Sequence, residues 1–176
     1  MNGLTMEFFK IPEPLKREHE VLHEELVKAT KESGPIGEAA RAVAKLLHPH
    51  FVKEEDFALP PLGLLSLLIA GKVSPVMLGV TEMTDRLKAD LHKMLREHES
   101  IVAAVKNLAD AAKRGKKPKY VRFADKLIQH ARMEEEMLYP ATILIGEFIK
   151  LKLKSSSASA RPSRADLRGG NHAQGL

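Results

Sequence analysis

Apolar residues along this chain recur at intervals of three and four, and glycine and proline interrupt the pattern at a few points. Leu15, Val21 or Leu22, Leu26 and Ala29 keep helical spacing from about Pro14 until Ser33-Gly34-Pro35. A second stripe, with Ala40, Val43, Leu46 and Leu47, runs from about Gly37 to Leu59 and stops at Pro60-Pro61. Met83, Leu87, Leu91, Met94, Ile101, Val105 and Leu108 make a third, broken between Arg114 and Pro118. Phe123, Leu127, Met137 and Ile143 make a fourth between about Lys119 and Lys150. Stripes of this period mark helices with one face turned to a core, and no strand-like alternation competes with them. The chain is therefore expected to be all-α, an antiparallel four-helix bundle running up-down-up-down.

Two segments fall outside that pattern. Residues 62–80, LGLLSLLIAGKVSPVMLGV, are apolar and have no counterpart in the first half. They are too short to span a bilayer, and read as a helical insertion between helices two and three. It would cap one bundle end, cover the site as a lid, or join copies in a homo-oligomer. Residues 1–153 would form the bundle, and 154–176, basic and rich in Ser and Gly, a disordered tail. Inside helix two, Pro49 removes an N–H and predicts a kink beside His50.

Composition narrows the chemistry. At 176 residues the chain can bury one core. With no cysteine, disulfides, iron–sulfur ligation and thiol nucleophiles are excluded, so metal chemistry falls to His and carboxylate. The net charge of +5 is concentrated in the tail, where Lys154, Arg161, Arg164 and Arg168 oppose only Asp166. The small remainder is no nucleic-acid footprint. No apolar run approaches the roughly 20 residues of a membrane helix, and the first residues lack a signal-peptide apolar region. A cytoplasmic protein without membrane contact is expected.

The chain also repeats itself. Arg17-Glu18-His19-Glu20 returns as Arg96-Glu97-His98-Glu99, and His50 with Glu54, Glu55 and Pro60 returns as His130 with Glu134, Glu135 and Pro140. The midpoint of His19 and His50 falls at Gly34-Pro35, and that of His98 and His130 beside Gly115. Residues equidistant from a hairpin turn sit at one height, so four helices would bring four His to one level. Four residues is roughly 400° of helix, so His50 and Glu54, like His130 and Glu134, project from one face. Each pair can chelate a metal while its Glu bridges to a second. Glu55, Glu135 and Glu136 lie further round, as a solvated face or as supports for the ligands. His48, His92 and His172 lie off the pattern.

These motifs, HFVKEEDFALPPL and HARMEEEMLYPAT, each preceded by an REHE helix, resemble the hemerythrin-like (HHE cation-binding) family over roughly Pro14 to Leu153. The resemblance implies a four-helix bundle holding two iron ions in a non-haem, carboxylate-bridged centre that handles O₂ or a related ligand such as NO or peroxide. By that resemblance His19, His50, Glu54, His98, His130 and Glu134 would be ligands. It leaves carrier, sensor, peroxidase- or oxidase-like enzyme and iron-handling protein open. In hemerythrins proper the third helix supplies two His four apart; here position 102 is Val, while helix one has His19 and His23. The three-His side would then have changed halves, with His19, His23 and His50 on one iron and His98 and His130 on the other. The second iron would keep the open position, lined by Leu95, Ile101, Val102 and Leu127. Two rivals share these letters. His19-Glu20-x-x-His23 is an H-E-x-x-H zinc metalloprotease signature, without the strands that normally accompany it. Glu20 and His23 also satisfy one of the two Glu-x-x-His motifs of a ferritin-like bundle.

Overall fold

The computed structural model describes residues 9–159, and among these every regular element is helical. The first hairpin consists of α1 (Glu13–Thr30) and α2 (Gly34–Lys53), with Pro14 and Pro35 in their first turns. There the missing proline N–H costs no helical hydrogen bond. A short α3 (Leu65–Ile69) follows, and then the second hairpin, α4 (Leu78–Arg114) and α5 (Pro118–Met133). The last helix, α6 (Tyr139–Ser159), prolongs the α5 rod. Around the bundle, α1 lies between α2 and α5, and α4 lies between α2 and the α5–α6 rod. The expected four-helix architecture is what the chain adopts. In the second hairpin turn the left-handed conformation falls on Lys116 (φ 55°) and not on neighbouring Gly115.

Three apolar clusters hold the rods together, the two larger ones on either side of a polar layer and a third, of Phe57, Ala58, Leu87, Met94 and Tyr139, beside it. Near the hairpin turns, Leu22, Leu26, Val43, Leu47, Val105, Leu108, Phe123 and Leu127 interlock. At the other end, Leu59, Leu62, Leu64, Met77, Val80, Ile145 and Ile149 form a second cluster. The 62–80 segment supplies Leu62, Leu64 and Met77 to it, so that segment caps the bundle end. Close packing of α4 on α6 depends on Gly146, where a Cβ would lie 1.9 Å from Thr84 Oγ1. The helix of α6 continues to Ser159, past the expected boundary at Leu153. The rest of the predicted tail, residues 160–176 with His172, lies outside the described residues, as do residues 1–8.

Irregularity appears where the sequence repeats. Pro49 sits exposed within an unbroken α2. The break comes one turn later, as a π turn over Glu54–Ala58 closed by the Leu59 N–H on the Glu54 carbonyl at 2.8 Å. The second rod has its twin over Glu134–Leu138, closed by Tyr139 N–H on Glu134. Pro60 and Pro140 follow these closures directly. A proline has no N–H to give and crowds the carbonyl four residues back, which favours a widened turn ahead of it. In an α-helix residue i+5 stands roughly 140° round from residue i. The π closure instead sets Tyr139 one turn beneath Glu134, and Leu59 beneath Glu54.

Candidate metal centre

His19, His50, His98 and His130 come from four helices, meet at one level, and are each 2–3% exposed. Glu54 and Glu134, buried equally deeply, stand between them. Two groups of four result, His19–Glu54–His130–Glu134 and His50–Glu54–His98–Glu134, each with donor atoms within 4.8 Å of one another. His50 Nε2 lies 3.1 Å from Glu54, and His130 Nε2 lies 3.0 Å from Glu134. Across the bundle, Glu134 comes within 3.5 Å of His19 Nε2 and 3.4 Å of His98 Nε2.

This pairing corrects the one drawn from the resemblance. His19 partners His130, with ring centroids 5.0 Å apart, and His50 partners His98 at 4.5 Å. The sets His19–His50 and His98–His130 are not formed. Distance from a turn fixes a residue's height along the bundle, but not which of two neighbouring helices it faces. The open side assigned to His98 and His130 falls with that pairing, and Ile101 and Leu127, named for its lining, belong to the apolar core.

Each imidazole has a carboxylate at its other nitrogen. His19 Nδ1 is 3.3 Å from Glu55, His50 Nδ1 2.9 Å from Glu97, and His98 Nδ1 2.9 Å from Glu135. His130 Nδ1 is 3.2 Å from Glu18, off the line of a full hydrogen bond. Every one of these carboxylates comes from a helix other than its histidine's, so the four links form a closed ring through α1, α2, α4 and α5. Glu97 is itself held by Lys53. An Nδ1–H donated outward leaves the Nε2 lone pair pointing inward, the tautomer a metal ligand needs.

Electrostatics agree with a site shaped for positive charge. Burial disfavours an imidazolium at His98, but hydrogen bonds to Glu134 and Glu54 outweigh it and raise the ring to about 10. His130 is raised against the same burial to about 9 through Glu134, and His19 is raised as well. Burial would lift Glu134, yet the imidazoles of His130, His19 and His98 hold it well below the usual carboxylate range. Protons on these rings thus stand where cations would.

The two halves differ in one respect. In the His50–His98 half, the buried Tyr139 hydroxyl donates to Glu54 Oε1 at 2.5 Å and lies 3.4 Å from His50 Nε2 and 3.3 Å from His98 Nε2. Its counterpart in the repeat is Leu59, which offers no polar atom. In the other half His19 Nε2, His130 Nε2, Glu54 Oε2 and Glu134 Oε1 are buried without a hydrogen-bond partner. Buried polar atoms in that state are costly, and four converging ones fit a cation. One ring of that half, His19, is stacked on Phe51 at 4.1 Å.

His23 does not join either group. The buried stripe of α1 is His19, Leu22, Leu26 and Ala29, so Leu22 takes the inward place and His23 is turned to solvent. The H-E-x-x-H motif is thereby split, because Glu20 is also exposed and pairs with Lys16; the same exposure removes the ferritin-like pair. Glu55 and Glu135 act as supports, while Glu136 is exposed. Three features escaped the sequence reading. Glu18 and Glu97 stood inside the repeated REHE motif, and Pro60 and Pro140 signalled the π turns. Tyr139 carried no signal beyond its place before Pro140.

A groove of about 790 Å³ between α1 and α5, lined by Arg17, Val21, Lys126, Arg132 and Met137 among others, reaches His130 from solvent. Among the described residues no helix is long and apolar enough to cross a membrane. The family model described as the hemerythrin HHE cation binding domain matches residues 10–142. No curated protein and no solved structure matches the chain.

Proposed function

We propose a function from one premise: the chain belongs to the hemerythrin HHE cation-binding domain family. On this reading it holds two iron ions bridged by Glu54 and Glu134 and binds O₂ or a related small ligand, NO or peroxide, as a carrier or sensor. The carrying observation is that four imidazoles, each with a carboxylate at Nδ1, turn Nε2 onto two buried carboxylates. His19 and His130 would hold one ion and His50 and His98 the other. A nitrogen-rich shell favours iron, or zinc in its place, over Mg²⁺ and Ca²⁺, which take oxygen ligands. When bound, a pair of iron ions supplies two electrons that O₂ can take up and return. The protein's part is to fix the tautomers of His19, His50 and His98 through Glu55, Glu97 and Glu135, to keep Glu18 beside His130, and to set Phe51 against His19.

A peroxidase- or oxidase-like enzyme is the second reading. It is favoured by the groove at His130, which is larger than a diatomic ligand requires. The test is metal analysis of protein reconstituted with iron(II), followed by stopped-flow mixing of the anaerobic di-ferrous form with O₂. About two irons per chain and a persistent oxygenated spectrum would support the carrier or sensor; decay with turnover of a reductant would favour the enzyme. Folded protein that takes up less than one metal per chain would overturn both.

A further inference from the structure

We propose that Tyr139 is itself a metal ligand. Its phenolate oxygen would complete the shell of the ion held by His50, His98, Glu54 and Glu134, leaving the exogenous ligand to the ion held by His19 and His130. This rests on the two-metal reading above.

Geometry is the first support. Donors that bind one first-row ion at about 2.0–2.2 Å lie about 3 Å apart on adjacent corners of its shell. The Tyr139 oxygen stands 2.5 Å from Glu54 Oε1, 3.3 Å from His98 Nε2 and 3.4 Å from His50 Nε2. His50 Nε2 to Glu54 Oε1 is 3.1 Å, and His98 Nε2 to Glu134 Oε2 is 3.4 Å. The phenol oxygen therefore sits among the inward donor atoms. Glu97 and Glu135 do not, for they lie behind the rings at Nδ1.

Hydrogen-bond supply is the second. The phenol gives its one O–H to Glu54, so its oxygen turns only lone pairs toward His50 Nε2 and His98 Nε2. A cation bound there would take that oxygen as a donor and release the phenolic proton to solvent.

The repeat is the third. Leu59 occupies the twin position and cannot ligate, so one half has five protein donors and the other four. The half lacking a fifth donor is the one with unpartnered atoms and with the groove that reaches His130. The fifth donor sought at His23 is thus found on the opposite side of the centre, and it is an oxygen.

Iron-loaded wild-type protein, oxidised to the ferric state, should show a tyrosinate-to-iron charge-transfer band in the visible. Excitation in that band should enhance tyrosinate ring modes in the resonance Raman spectrum. Tyr139→Phe should lose both signals while keeping about two irons, and should bind a second azide. The only other tyrosine, Tyr120, donates to Glu32 at 2.6 Å in the region of the hairpin turns, so the assignment is unambiguous. Wild-type protein with about two irons and no tyrosinate band or ring modes would overturn this inference and leave the two-metal reading standing. Signals that persist in Tyr139→Phe would overturn it equally. Less than one iron per chain would overturn the two-metal reading, and this inference with it.

Discussion

The two halves of the centre share both carboxylates and obey one pseudo-twofold repeat, yet only one of them is internally satisfied. Around His50 and His98 a phenol fills the space; around His19 and His130 two carboxylate oxygens and two imidazole nitrogens face each other unpartnered. The lesson is that a duplicated motif supplies symmetric ligands, whereas a single unmatched residue, Tyr139 against Leu59, decides how the halves differ.

Glu134→Ala should erase the comparison altogether. Its carboxylate reaches His19, His98 and His130, so metal content should fall from about two per chain to less than one, measured by elemental analysis. One retained ion would mean that Glu134 serves a single half. A double substitution separates the halves. His19→Ala with His130→Ala should leave about one ion per chain, whereas His19→Ala with His98→Ala damages both groups and should leave less. Equal loss in the two variants would deny the cross-hairpin pairing.

A smaller effect should come from the ring of supports. Glu97→Ala leaves His50 in place but frees its Nδ1, and losing such a partner costs about 10- to 100-fold in metal affinity. Competition with a chelator should register that loss for one ion and spare the other.

The metal-free protein allows a comparison by pH. His98 and His130 have folded pKa values of about 10 and about 9, above the ordinary value near 6.5. A raised value stabilises fully below the unfolded pKa, and that contribution is lost as pH rises through the folded one. Glu134, depressed, contributes above its ordinary range near 4.5 and loses that contribution as pH falls. Apo protein should therefore melt highest between about pH 4.5 and 6.5. Its melting temperature should fall toward pH 10, the His130 half weakening first. A flat profile would show that the rings do not carry the protons.

Least of all should follow from His23→Ala. The residue is exposed, so two ions should remain, and stability should move by no more than about 0.5 kcal/mol. Loss of an ion would return His23 to the centre.

Much of this was readable in advance, for physical reasons. Helical period and breakers locate the rods, because burial of one face imposes that period. Spacing from the turns brought His19, His50, His98 and His130 to one level. What spacing could not supply was azimuth: it does not say which neighbouring helix a His faces, nor that Leu22 and not His23 takes the inward place on α1. Nor could it supply the π turns, which change the residues-per-turn count on which same-face arithmetic depends. Tyr139 stays off the face of Glu134 on an α-helical count and falls beneath it only with the wider turn.

The ring of carboxylate-to-histidine links has a consequence for how little information the centre needs. Two links lie within hairpins, Glu55 to His19 and Glu135 to His98; two lie between them, Glu97 to His50 and Glu18 to His130. The first hairpin carries Glu18, His19, His50, Glu54 and Glu55, which is one complete set of every part. A single hairpin of this kind, associating with a second copy as a symmetric homodimer, would close the same ring and place one bridging Glu from each subunit at its middle. The covalent joining of two such halves in one chain is what allows one position, 59 or 139, to change without its twin.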